Sequence, residues 1–181
     1  MKHTTHNTKH IKHNNGFTLI ETMVAVVILS LALTALLGLI SSSLFYARYS
    51  RNEITANYLL QEVIDFTKNK RSSSLLDSTI GWDGFVNNYN SCVGSDGCEI
   101  DVQEGSIKAC NSSGCRALSY DEREDNLSFY NYEPGLPVSN FKRKVVVTSD
   151  ADQLNITVTV TWMNGKTEKS RSLSSSLLNW Q

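Results

Sequence analysis

The sequence predicts an α+β chain, in which one long N-terminal helix packs its outer half on a small antiparallel sheet. Three observations carry this. From Thr22 to Ala47 no side chain is charged, a run of about 26 residues where roughly 20 suffice for a helix to cross hydrocarbon. Beyond it, Ala56, Leu59, Leu60, Val63 and Ile64 fall at i, i+3, i+4, i+7 and i+8, the stripe of an amphipathic helix. In the C-terminal half, Leu154, Ile156, Val158, Val160 and Trp162 alternate with Asn155, Thr157, Thr159 and Thr161, the period of a half-buried strand.

The 181 residues have room for one small domain beside the apolar helix. Apolar residues make up 40% of the chain and crowd into the first helix, so the rest is Ser- and Asn-rich with a thin core. Formal net charge is −1; without Lys2, Lys9 and Lys12 the 17 Lys and Arg become 14 against 18 Asp and Glu, a net of −4. No nucleic-acid footprint is present.

Met1 to Asn15 holds those three lysines and no acid, which places this end on the cytoplasmic side and the remainder outside. His3, His6, His10 and His13 recur at helical spacing, but a polar 15-mer has no core to fix metal-ligand geometry. An ordinary secretory signal is the other reading of this region, yet such apolar segments run about 7–15 residues, half the length found here. The interruptions at Thr22, Ser30, Thr34, Gly38 and Ser41 to Ser43 are small, and their hydroxyls can bond back to helix carbonyls. Glu21 is the exception. It is a carboxylate four residues inside the apolar block, where a comparable acid at the helix centre costs roughly 2.5–3.5 kcal/mol; it either sits hydrated near the interface or has a partner.

Gly16-Phe17-Thr18-Leu19-Ile20-Glu21 after a short basic leader resembles the cleavage and methylation site of type IV prepilins and of type II secretion pseudopilins. The resemblance covers Met1 to about Ala47. It implies a leader over 1–16 removed by a prepilin peptidase after Gly16, N-methylation of the new Phe17 amine, and a contact between Glu21 and the amine of a neighbouring subunit. It further implies a transmembrane and assembly helix over 17–47 and an extracytoplasmic pilin-like domain over 48–181. The partners it implies are other pilin subunits, the inner-membrane assembly platform and, before assembly, membrane lipid. Gly38 stands where a kinking proline is often found in relatives, which leaves the helix's continuity there open. The segment from Ala56 to Ile64 is similar to the corresponding helix of PilV-like minor pilins.

The amphipathic helix is expected to end within Lys68 to Ser74, where cations suit a helix C-terminus and serines break the pattern. Leu75 to Asn90 carries turn signals around Trp82, Phe85 and Tyr89, aromatics placed to pack over the helix stripe. Cys92, Cys98, Cys110 and Cys115 in an exported domain point to two disulfides. Five residues separate Cys92 from Cys98, wider than the usual ligand pairs of a four-thiolate zinc site. The small Gly-containing loops favour Cys92 with Cys98 and Cys110 with Cys115. A nested pairing remains open, because a hairpin of Glu99–Gln103 with Ser106–Cys110 brings Cys98 near Cys110.

The remaining chain reads as sheet: Leu127 to Tyr132, Lys142 to Thr148, Gln153 to Trp162, and Lys166 to Leu173, with Leu177, Leu178 and Trp180 closing it. Asp150-Ala151-Asp152 and Asn164-Gly165 are turns, the second a type I′ hairpin signal. The final meander, with Trp162 and Trp180, is similar to that of minor subunits and of one type II secretion pseudopilin.

No phosphate loop, zinc-protease motif or nucleophile elbow occurs, so the expectation is a structural subunit and not an enzyme, with no cofactor. Asp121, Glu122, Glu124 and Asp125 form an acidic stretch without the spacing of a calcium loop and read as a solvated loop. Two functions fit: a minor pilin, with the secretion pseudopilin as its near alternative, or a bitopic exported protein whose outer domain binds a ligand.

Overall fold

The computed structural model describes residues 16–77, 79–122 and 128–179. The basic leader with its histidines, Glu124, Asp125 and Trp180 lie outside the described residues. The layout is α+β and pilin-like: helix α1 (Leu19–Leu76, 58 residues) precedes a seven-stranded antiparallel sheet. The chain divides into two compact units, 1–47 and 48–181.

In the first unit α1 is continuous through Gly38. Its hydroxyls turn inward on their own helix: Thr22 donates to the Leu19 carbonyl at 2.8 Å, Ser30 to Val27 at 2.8 Å, Thr34 to Leu31 at 2.9 Å, and Ser42 to Gly38 at 3.1 Å. No side chain of α1 over 19–47 is buried, although most are apolar. Lipid or other helices must cover them.

The second unit begins with the outer part of α1, whose buried residues are Ala56, Leu59, Leu60, Val63, Ile64, Thr67 and Ser74. The helix runs past the expected stop to Leu76, because serine is merely neutral in a helix and Ser72 donates back to the Lys68 carbonyl at 3.0 Å. Arg71 adds a tertiary anchor, donating to the carbonyl of Leu178 at 2.6 Å. A short helix α2 (Gly81–Asn87) then folds where turn signals predominate. It buries Trp82 and Phe85, and Tyr89 follows at the same face.

The strands are β1 (Cys98–Asp101), β2 (Ser106–Ala109), β3 (Ala117–Glu122), β4 (Ser128–Asn131), β5 (Val138–Asp150), β6 (Gln153–Asn164) and β7 (Thr167–Leu178). β5 is the hub. One edge pairs with β6 along Phe141–Asp150, while the other is shared by β3 and β1. The two-residue turn at Gly165-Lys166, with Gly165 at φ 64°, sets β6 against β7 over twelve pairs. Every inward residue of β6 is at most 2% exposed, each worth about 1.5–3 kcal/mol of apolar burial for a side chain of this size. Asp121 and Glu122 do not lie in a loop as the sequence suggested; they belong to β3 and pair with Phe129 and Ser128 of β4.

One inward position of β5 carries a charge. Arg143 is fully buried between Phe141 and Val145, donating to the Ile100 carbonyl at 2.7 Å, the Leu59 carbonyl at 3.2 Å and the Glu62 carboxylate at 2.5 Å. It ties the outer part of α1 to two strands.

Candidate processing and assembly site

Gly16, Phe17 and Glu21 fall within the entry to the first turn of α1. Gly16 and Phe17 precede the helix without regular structure and are exposed, Phe17 at 82%. A peptide bond in such a segment lies open to a protease active site. A side chain added at Gly16 would meet nothing within 4 Å, so no steric demand of this chain's own fold calls for glycine at that position.

Thr18 starts the helix. Its hydroxyl accepts the Glu21 backbone N–H at 3.3 Å and its carbonyl accepts those of Glu21 and Thr22 at 3.1 and 3.2 Å. This is N-capping, and Thr-x-x-Glu is the sequence pattern of a capping box. The cap went unread in the sequence although that spacing carries it, and it changes the reading of Glu21, which is the third residue of α1 and the acid of its first turn, where the positive end of the helix dipole favours a carboxylate. Glu21 is exposed. Its charge therefore sits at the helix entry and faces outward, not within the apolar body.

The comparison that bears on this segment is a protein-family match. Residues 11–37 fit the prokaryotic N-terminal methylation motif. The N-terminal segment is thus of the prepilin type. The motif supports a processed subunit of the pilin or pseudopilin kind and implies a prepilin peptidase and other pilins as its partners. An apolar N-terminal helix long enough to cross a bilayer fits a membrane-anchored pilin. No curated protein matches the chain, and no solved structure matches it.

The cysteines lie in the second unit. Cys92 is joined to Cys98 and Cys110 to Cys115, with Cα separations of 4.5 and 4.6 Å. The β1–β2 hairpin that would have allowed nesting does form, with Cys98 opposite Ala109 and the Cys110 N–H donating to the Gly97 carbonyl at 3.0 Å. Each cysteine nevertheless bonds its neighbour in sequence. Gly97 (φ 68°) makes the close approach to β5 possible, since a Cβ there would stand 2.5 Å from the Val145 carbonyl oxygen.

Two buried acids of this hairpin's first strand, Glu99 and Asp101, are held by hydrogen bonds. Asp101 accepts N–H groups from Gln103, Glu104 and Tyr132 at 3.0–3.2 Å. Glu99 takes the Arg116 backbone N–H and its guanidinium, the latter at 2.7–2.8 Å, and this pairing raises the Arg116 pKa further. Among the described residues no group of three or more His, Cys, Asp or Glu is arranged to hold a metal.

Proposed function

We propose that the chain is a minor pilin, a structural subunit of a type IV pilus or related filament. Prepilin peptidase cuts after Gly16, Phe17 becomes the N-methylated first residue, and the domain over 48–181 stands outside the membrane. The observation that carries this reading is the methylation motif at 11–37 on a helix whose apolar N-terminal part, 19–47, is uncovered throughout. The similarity of Ala56 to Ile64 to PilV-like minor pilins favours the minor class; a type II secretion pseudopilin is the alternative with the same N-terminus.

Cleavage would create an ammonium at Phe17, next to the positive end of the helix dipole. Methylation leaves it charged. In lipid such a cation requires a counter-charge, and Glu21 of an adjacent subunit supplies one in the filament. Substituting Glu21→Ala should leave processing largely intact and lower incorporation into sheared filaments severalfold. Normal incorporation of the variant would reject the pairing. The abundance of the chain in sheared pili separates the classes: a trace component supports the minor pilin, absence from pili but assembly with secretion components supports the pseudopilin.

A further inference from the structure

We infer that the outer face of the C-terminal sheet carries a binding site for an anionic glycan, seated where the second disulfide loop overhangs strands β5 and β6. A cleft of about 220 Å³ opens there between Gly114 and Cys115 on the loop and Lys142, Lys144, Thr159 and Thr161 on the sheet. The strand register explains the grouping. Outward positions run in rows across three strands, Lys142–Thr161–Ser170 and Lys144–Thr159–Ser172, so two cations and four hydroxyls share one flat surface.

The overhanging wall is fixed in advance. The Cys110–Cys115 disulfide closes it, the Gly114 N–H donates to the Asn111 carbonyl at 2.9 Å, and the Asn111 side chain accepts the Ser113 N–H at 2.9 Å. Gly114, at φ 98°, turns the loop and leaves the cleft without a side chain at that point. A rigid wall lowers the ordering cost of binding.

The charges point to an anion. Lys68, Arg116, Arg143 and Arg171 each have a carboxylate partner. Among the described residues Lys142 and Lys144 have none. Both are exposed, and the Lys144 ammonium reaches only the Ser95 carbonyl at 3.4 Å. Two unpaired lysines side by side repel each other and gain from a shared anionic group.

The rest of the face suits sugar. Thr159 bonds Ser172 at 2.9 Å, Thr157 bonds Ser174 at 2.9 Å, and Ser176 donates to Asn155 at 2.6 Å; hydroxyls that both donate and accept match sugar hydroxyls. The cleft is smaller than the roughly 300–1,000 Å³ of sites that enclose a whole small ligand. It therefore takes one sulfate or carboxylate group while the chain of the glycan lies along the hydroxyl rows. Nucleic acid fits less well, because none of these outward positions is aromatic and two lysines neutralise few phosphates.

The test uses the full chain in detergent micelles, titrated with a fluorescent heparin-derived tetrasaccharide. The wild type should bind saturably, and the double variant Lys142→Gln/Lys144→Gln should bind at least tenfold more weakly. Lys169→Gln, which changes a cation in register with Trp162 on the opposite face, should shift affinity less than twofold. Inorganic sulfate should compete only at concentrations at least a hundredfold higher than the unlabelled tetrasaccharide. The proposal is overturned if the wild type does not bind, if the double variant binds as well, or if Lys169→Gln loses as much. Competition by sulfate as effective as the tetrasaccharide would assign a free-ion site instead, and tighter binding of a short oligothymidine would assign a nucleic-acid surface; either overturns it.

Discussion

Arg143 shows how one side chain decides the join between helix and sheet. It is fully buried and has contacts with Leu59, Glu62 and Ile100. Removing one member of a buried pair costs about 3–5 kcal/mol, while replacing both by apolar groups of similar volume is often neutral. Glu62 is 32% exposed in its side chain, so water softens the loss and the lower end applies. Denaturant unfolding followed by tryptophan fluorescence should show Arg143→Met destabilised by about 3 kcal/mol, and Arg143→Met/Glu62→Leu recovering at least half. No recovery in the double variant would mean that the two carbonyl bonds, not the ion pair, dominate.

Tyr132 sits against the same arginine, its hydroxyl donating to the Arg143 carbonyl at 3.3 Å. Burial pushes its phenol up to about 12, from an ordinary value near 10. The folded state thus holds the proton more tightly than the unfolded state. The resulting stability is fully present below about pH 10 and is lost as pH rises through about 12, a swing of ~3 kcal/mol. Tyr132→Phe removes this titration. Its stability should fall less steeply between pH 9.5 and 11.5 than that of the wild type, and an equal slope would contradict the burial argument.

At the scale of elements, the two disulfides act on the loops around β1 and β2. Each closes a short ring, sequence separations being 6 and 5, and loop-closure entropy for rings this small amounts to roughly 2 kcal/mol apiece. A domain with few kilocalories to spare should feel that. Reduction of the full chain in detergent should lower the thermal midpoint of the tertiary signal by about 10 °C and leave far-ultraviolet helicity of α1 largely unchanged. An unchanged midpoint would contradict the assigned role.

Elements differ in how plainly the sequence announced them. The uncharged run and the stripe from Ala56 to Ile64 specify α1, and the alternation of Leu154 to Trp162 specifies β6, because each pattern matches one period over many residues. β3 went unread: Ala-Leu-Ser-Tyr-Asp-Glu has little strand propensity and contains a register shift between Ala117 and Ser119. Pairing with β5 and β4 imposes it. α2 was hidden by Gly81 and Gly84, and is held by the aromatic contacts of Trp82, Phe85 and Tyr89. Arg143 was masked by its neighbours Lys142 and Lys144. Period-two counting from Phe141 to Val147 would have placed it inward. At the N-terminus the motif of Gly16, Phe17 and Glu21 was legible from local spacing, whereas the Thr18 cap went unread although Thr-x-x-Glu carries it.

For the whole molecule, the two units make different demands. Residues 48–179 bury a core of their own, whereas the apolar side chains of 17–47 are uncovered and need surroundings that the monomer does not supply. Under the proposed function a bilayer would meet that need first, and neighbouring helices would meet it in a filament. In the proposed function processing links the two states, because cleavage after Gly16 would remove the basic leader and leave a charged amine four residues before Glu21. Mass spectrometry of the membrane-extracted protein tests this most directly. The account predicts a mature chain beginning at Phe17 with a single added methyl on its amine; an intact Met1, or a start near Leu44, would contradict it.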